Sequence, residues 1–272
     1  MPAALETRGL AKRFGRRKVI EGLDLAVPEG SVYGFLGRNG AGKTTTLRML
    51  LGILAPDGGE IVYGGHAVRR AGPAERRRIG YVSQQQHFYP WMRVRTLGRF
   101  VGAFYPTWDA GRYAGLLDRL AVDPAQRVGA LSGGTRMKLA LALALAHAPP
   151  LLLLDEPTAG VDPVTRREIL DLLKSAVREE GRTVLFSTHN ISEIEAIGTQ
   201  VGILHEGRLF WQGEVDGVAA RVRRVSGPVP EGARVLAEEP EGAICWGEPE
   251  VWSDEARVSL EAAFVAIARQ DT

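Results

Sequence analysis

The sequence predicts an α/β fold: a mainly parallel sheet at the core, an antiparallel β-subdomain ahead of it, and an α-helical subdomain inserted into it. Three observations predict this. The stretch "GRNGAGKTTT", residues 37–46, stands between a short apolar strand and a helix. The runs "LLLLDE" and "TVLFSTH" are apolar almost throughout, the mark of parallel strands buried on both faces. From about residue 90 to 148 apolar residues recur every three or four positions, which is the helical period.

The elements follow in order. Residues 4–36 alternate apolar runs with turns, "ALETRGL", "KVIEGLDLAV" and "SVYGFLG", and read as strands. Leu47, Leu50, Leu51 and Leu54 then carry a helix. "GEIVYGG" is a strand, and "PAERRRIGYVSQ" is a small helix running into a strand at Ile79–Ser83. The helical block includes "LGRFVGAFYPTWDAGRYAGLLDRLAV", broken at Pro106, and a second helix from about Arg136. "VTRREILDLLKSAVREEG" is a helix stopped by Gly181, and "VGILHEGRLFWQG" is a hairpin turning at Glu206–Gly207. Beyond residue 213 only strand fragments show, until "DEARVSLEAAFVAIARQ" reads as a last helix with Val258, Ala262, Val265 and Ala268 near one face and Leu260, Phe264 and Ile267 adjoining. The expected division is a main domain at 1–213, with its helical subdomain at about 90–148, and an accessory segment at 214–272.

The chain has 272 residues, enough for a sizeable core. Its net charge of +2, from 34 basic and 32 acidic side chains, argues against nucleic acid as a partner by bulk electrostatics. Cys245 is the single cysteine, so no disulfide framework within the chain and no thiol-rich metal site is expected. The start of the chain carries no secretory pattern. The most apolar stretch, "LALALALAHAPPLLLL", is cut by His147 and Pro149–Pro150. Neither half reaches the ~20 residues of a membrane helix.

Gly37, Gly42, Lys43 and Thr44 fit G-x-x-x-x-G-K-[ST], a P-loop. Its glycines turn backbone N–H groups toward phosphate, and the helix N-terminus adds partial positive charge. Lys43 suits the outer phosphates and the Thr44 hydroxyl suits Mg²⁺. Asp155 and Glu156 end a buried strand, where ligands bind in open α/β sheets. Asp155 suits support of the metal, and Glu156 suits a general base acting on water. "LSGGT", residues 131–135, is a second glycine turn before a helix. On spacing alone, Ser132 is simply a helix N-cap.

Taken in order, the P-loop, Gln84 after "IGYVS", "LSGG", "LLLLDE", "AGVD" and "STH" resemble an ATP-binding cassette (ABC) ATPase over residues 4–213. The resemblance implies that Gly37, Asn39, Gly40, Gly42, Lys43, Thr44 and Thr45 hold ATP, with Phe14 of "AKRFG" stacked on adenine. It implies that Gln84 joins Thr44 and Asp155 at Mg²⁺, that Glu156 is the base, and that His189 contacts the γ-phosphate. It further implies that Leu131, Ser132, Gly133 and Gly134 close over the ATP of a second cassette, with Asp162 crossing the same interface. The fifth signature position, usually Gln, is Thr135 here.

Within that family three features favour transport. The chain carries one cassette, it lacks a long heptad stretch, and its "VSLEAAFVAIAR" tail resembles that of exporter subunits. The segment "AFYPTWD" resembles one in a bacterial exporter subgroup. The expectation is an ATP-hydrolysing exporter subunit on the cytoplasmic face of the membrane, paired with a second cassette and with integral membrane permease subunits. These would dock at "QQQHFYPWMRVRT", where Phe88, Tyr89 and Trp91 stand close together. The alternative is a soluble cassette linked to regulation, nucleic acid or the ribosome.

Overall fold

Strand Leu151–Asp155 shows why the core is layered as it is. Leu151 and Leu153 point into one apolar cluster, with Tyr33, Phe35, Leu47 and Leu185. Leu152 and Leu154 point into the other, with Leu141, Ile169, Phe186 and Ile203. A strand covered on both faces has no polar side, so an unbroken leucine run is its natural sequence. The computed structural model describes residues 2–252 and 256–269. The central sheet has six strands in the order Arg208–Glu214, Gln200–His205, Val32–Leu36, Thr183–Thr188, Leu151–Asp155 and Ile79–Val82. All pairings are parallel except the edge hairpin Gln200–His205 with Arg208–Glu214.

An antiparallel sheet precedes it, built on the long strand Ala3–Phe14. That strand pairs with Arg17–Leu23, Ala26–Pro28 and Gly58–Tyr63. The helical block lies between Ile79–Val82 and Leu151–Asp155, as helices Val94–Gly102, Ala110–Arg119 and Gly133–Ala146. The break at Pro106 is packed rather than open. Tyr105 stacks on His147 with centroids 4.0 Å apart, and Trp108 meets Tyr113 at 5.3 Å.

Three expectations are corrected. Helix Gly133–Ala146 begins three residues before Arg136, because the Ser132 hydroxyl accepts the Thr135 N–H and makes Ser132 the N-cap. Residues 214–252 are not mere fragments: strands Val222–Val225, Arg234–Glu239 and Gly242–Trp246, with Ala256–Arg257, form a separate antiparallel sheet. The last helix, Leu260–Ala268, buries the adjoining Leu260, Phe264 and Ile267 together with Ala263, and leaves Val265 exposed, so the apolar face is centred on the adjoining residues. Residues 254, 255 and 270 of the predicted helix lie outside the described residues. Among the described residues no helix is long and apolar enough to cross a membrane.

Candidate active site

The loop after strand Val32–Leu36 is shaped by glycines that nothing else fits. A Cβ on Gly37 would stand 2.8 Å from the Leu204 carbonyl oxygen. Gly42 has φ +111°, and a Cβ there would meet Ile20 Cδ1 at 2.5 Å. This left-handed turn opens directly into helix Lys43–Leu50.

Lys43 is buried. Its ammonium donates to the carbonyls of Gly37 (2.7 Å) and Arg38 (3.3 Å), and pairs with Glu156 Oε1 at 3.2 Å. The other Glu156 oxygen, Oε2, faces Gln84 Nε2 at 3.3 Å and His189 Nδ1 at 3.4 Å. Thus residues from three separate segments meet on one carboxylate. Beside it, the Thr44 hydroxyl donates to Asp155 Oδ1 at 3.1 Å. Asp155 and Glu156 sit at the carboxyl end of their strand, where the sheet opens to ligand.

Phe14, Asn39, Gly40, Gly42, Lys43, Thr44, Thr45, Gln84 and Glu156 line one cavity of about 410 Å³, together with Arg17 and Val19. That volume suits a small-molecule ligand. Phe14 is 51% exposed, so its ring is no core aromatic. His189 likewise has an exposed side chain rather than a core one. The donors near Asp155 are oxygens, a hydroxyl and a carboxylate, which fit a hard cation such as Mg²⁺. Among the described residues no three His, Cys, Asp or Glu side chains cluster as a metal site. A cation here would therefore draw its remaining ligands from phosphate and water.

The second glycine turn is elsewhere. Leu131 is buried, Ser132 and Gly133 are exposed, and none of 131–135 lines the P-loop cavity of its own chain. Ser132 Oγ is 2.8 Å from Thr135 Oγ1, so the unusual fifth residue holds the serine hydroxyl. Asp162 caps helix Pro163–Arg178, accepting the N–H groups of Val164 and Thr165 at 3.0 Å. These bonds, those from Thr165 foremost, hold its carboxyl below the ordinary carboxylate pKa.

Three residues near the site escaped the sequence reading. Ser187 donates to Asp155 Oδ1 at 2.7 Å and accepts the Glu156 N–H at 3.0 Å. It thereby steadies Glu156, whose φ of +47° is left-handed and costs about 1–3 kcal/mol for a non-glycine residue. Glu193 is a buried carboxylate behind His189. Arg38, inside the P-loop, donates to the Ala268 carbonyl at 3.0 Å, so the last helix reaches the loop. Ser187 stood in the "STH" motif and so had a local signal. Glu193 and Arg38 had none, because the contacts that mark them, to Thr158 and to Ala268, are remote in sequence.

An aromatic surface lies beyond Gln84. Phe88 packs against the core, while Tyr89 and Trp91 are exposed. Their rings run on through Phe100 to Phe104, with successive centroids between 5.2 and 5.7 Å apart.

The ABC transporter family model matches residues 20–159. The bacitracin transport ATP-binding protein of Bacillus licheniformis is 36% identical over 82% of this chain and 74% of its own. A Nod factor export ATP-binding protein of Paraburkholderia xenovorans is 38% identical over 85% of this chain and 79% of its own. An ATP-binding subunit of an ABC transporter superposes with a TM-score of 0.73 at 26% identity, over 79% of this chain and 91% of that one. A dimeric cassette in a post-hydrolysis state, with ADP and phosphate bound, gives 0.70 at 25% identity, over 78% and 98%.

Proposed function

We propose, for a chain that belongs to the ABC transporter family and is an ATPase of it, that it drives an exporter. In this reading two cassettes close on ATP, and the membrane subunits they move sit on the aromatic surface at Tyr89 and Trp91. The export named for its relatives supports the direction of transport. The chain would then work at the cytoplasmic face of the membrane, with residues 1–213 as the nucleotide-binding domain and 214–272 as an accessory segment.

The observation that carries the catalytic reading is the meeting of Lys43, Gln84 and His189 on Glu156. Phosphate entering the loop takes over the Lys43 donors and releases Glu156 Oε1 to accept a proton from water. Gln84 and His189 orient that water and the terminal phosphate. Thr44 and Asp155, with Gln84 beside them, would hold Mg²⁺, which when bound neutralises charge developing on the phosphates. Phe14 offers its open face to adenine. Leu131, Ser132, Gly133 and Gly134 supply N–H groups to the ATP of the partner cassette, and Asp162 lies at that interface.

The experiment is to tag the protein in its own cell, extract in mild detergent and identify what co-purifies. A polytopic membrane protein in stoichiometric amount supports the reading. Recovery with ribosomes or nucleic acid, or alone, contradicts it.

A further inference from the structure

Glu193 is 3% exposed and holds more partners than its helix requires. It lies in the first turn of helix Ile191–Ile197, whose N-cap is Asn190. A glutamate there ordinarily reaches back to the N-cap N–H as the second half of a capping box. Glu193 does not. The Asn190 N–H donates instead to Thr188 Oγ1 at 2.9 Å. Glu193 Oε2 accepts the Thr188 hydroxyl at 2.7 Å, and Oε1 accepts the Thr158 hydroxyl at 2.6 Å. The Asn190 amide adds a weaker contact to Oε1 at 3.4 Å. The Arg166 guanidinium stands 3.7 Å away, close enough for attraction but too far to count as a hydrogen bond.

These partners bracket the two loops that carry the chemistry. Thr188 and Asn190 flank His189, and Thr158 follows Glu156 by two residues. The side chains so carried, His189 and Glu156, are 3.4 Å apart. A buried carboxylate with two short hydroxyl bonds is a rigid link, because breaking either bond strands a charge away from water. We infer that Glu193 is a positioning residue for ATP hydrolysis: it ties the His189 loop to the segment after Glu156 and sets the spacing of that pair. It does not line the P-loop cavity and acts only through the two loops. This inference rests on the catalytic reading of Glu156 and His189.

The test measures steady-state ATP hydrolysis and melting temperature for the full chain and for Glu193→Gln, Thr158→Val, Thr158→Ser and Glu156→Gln. A gap of a fraction of an ångström between reacting groups lowers turnover without weakening binding. Glu193→Gln should therefore lose about 10- to 100-fold in kcat with KM for ATP within about twofold of wild type. Thr158→Val should shift the same way, and Thr158→Ser should restore the rate. In the double variant with Glu156→Gln, Glu193→Gln should cost nothing further, since the base it positions is gone.

A kcat for Glu193→Gln within about twofold of wild type would overturn the inference. So would kcat and KM worsening together with a lowered melting temperature, or Thr158→Ser as slow as Thr158→Val. If Glu156→Gln itself hydrolyses at the wild-type rate, the catalytic reading falls and this inference with it. If Glu156→Gln is slow while Glu193→Gln is fast, only the role of Glu193 falls.

Discussion

The chain carries two glycine turns that open into helices, and they differ in what surrounds them. The P-loop at 37–45 is ringed by groups from its own chain: Lys43 within, Asp155 and Glu156 opposite, Gln84 and His189 at the side. The turn at 131–135 has a serine, two glycines and a helix N-terminus, and among the described residues no lysine or carboxylate of its own chain bonds the exposed Ser132 hydroxyl. Both offer N–H groups to an anion. Only the first is assembled for chemistry. The difference is what the proposed pairing explains: the second turn would be half of a site whose other half is supplied by another copy.

Four changes break or sharpen that contrast, from the largest effect to the smallest. Glu156→Gln removes the base and should lower hydrolysis about 10²- to 10⁴-fold, while ATP still binds in a filter or fluorescence assay. Lys43→Ala strips the P-loop of its cation and leaves Glu156 buried without it. ATP affinity by calorimetry should fall about 10²- to 10³-fold. Ser132→Ala touches only the second turn. Hydrolysis should slow by roughly tenfold, the worth of one hydrogen bond to a charged group, with ATP binding to the separate chain unchanged.

The smallest effect works at the far end of the second turn's helix. His147 caps Gly133–Ala146, is buried, and neither ring nitrogen has a hydrogen-bond partner among the described residues. Burial, helped by the nearby Arg182 cation, pushes its pKa down to about 4 from the ordinary 6.5. The unfolded chain therefore takes up this proton first as pH falls. The stability held by neutral His147 is complete above about 6.5 and drains away as the solution is acidified toward about 4. Melting curves across that window should fall by a few degrees more for wild type than for His147→Phe. Near neutral pH the two should differ little.

What could be read from the sequence follows from where each residue's partners lie. The P-loop, the strand "LLLLDE" and the hairpin at Glu206–Gly207 announce themselves, since their shape is dictated by neighbours in sequence. Asp155 and Glu156 stood out as carboxylates ending a buried strand, and Phe14, Gln84 and His189 through motif order; they come together at or beside one cavity. Glu193 was hidden because its partner Thr158 is 35 residues away, and any helix may carry a glutamate in its first turn. The sheet beyond residue 221 was hidden for another reason. Its strands are short, with Val222–Val225 only four residues long, and Arg223 and Arg224 interrupt the alternation that marks a strand. The face of the last helix was read a little off centre: Leu260, Phe264 and Ile267, expected beside it, are the residues that join the core with Ala263, while Val265 is exposed.

The central claim is that the second turn completes a site on another copy, and mixing two inactive variants tests it most directly. One chain carries Glu156→Gln with its Ser132 turn intact. The other carries Ser132→Arg with Glu156 intact. Each alone should hydrolyse ATP poorly. If the turn acts across a dimer, the mixture contains pairs with one complete site and should recover about a quarter of the wild-type rate, the share that random pairing gives. If the mixture stays as inactive as its components, each turn serves its own chain and the account is wrong.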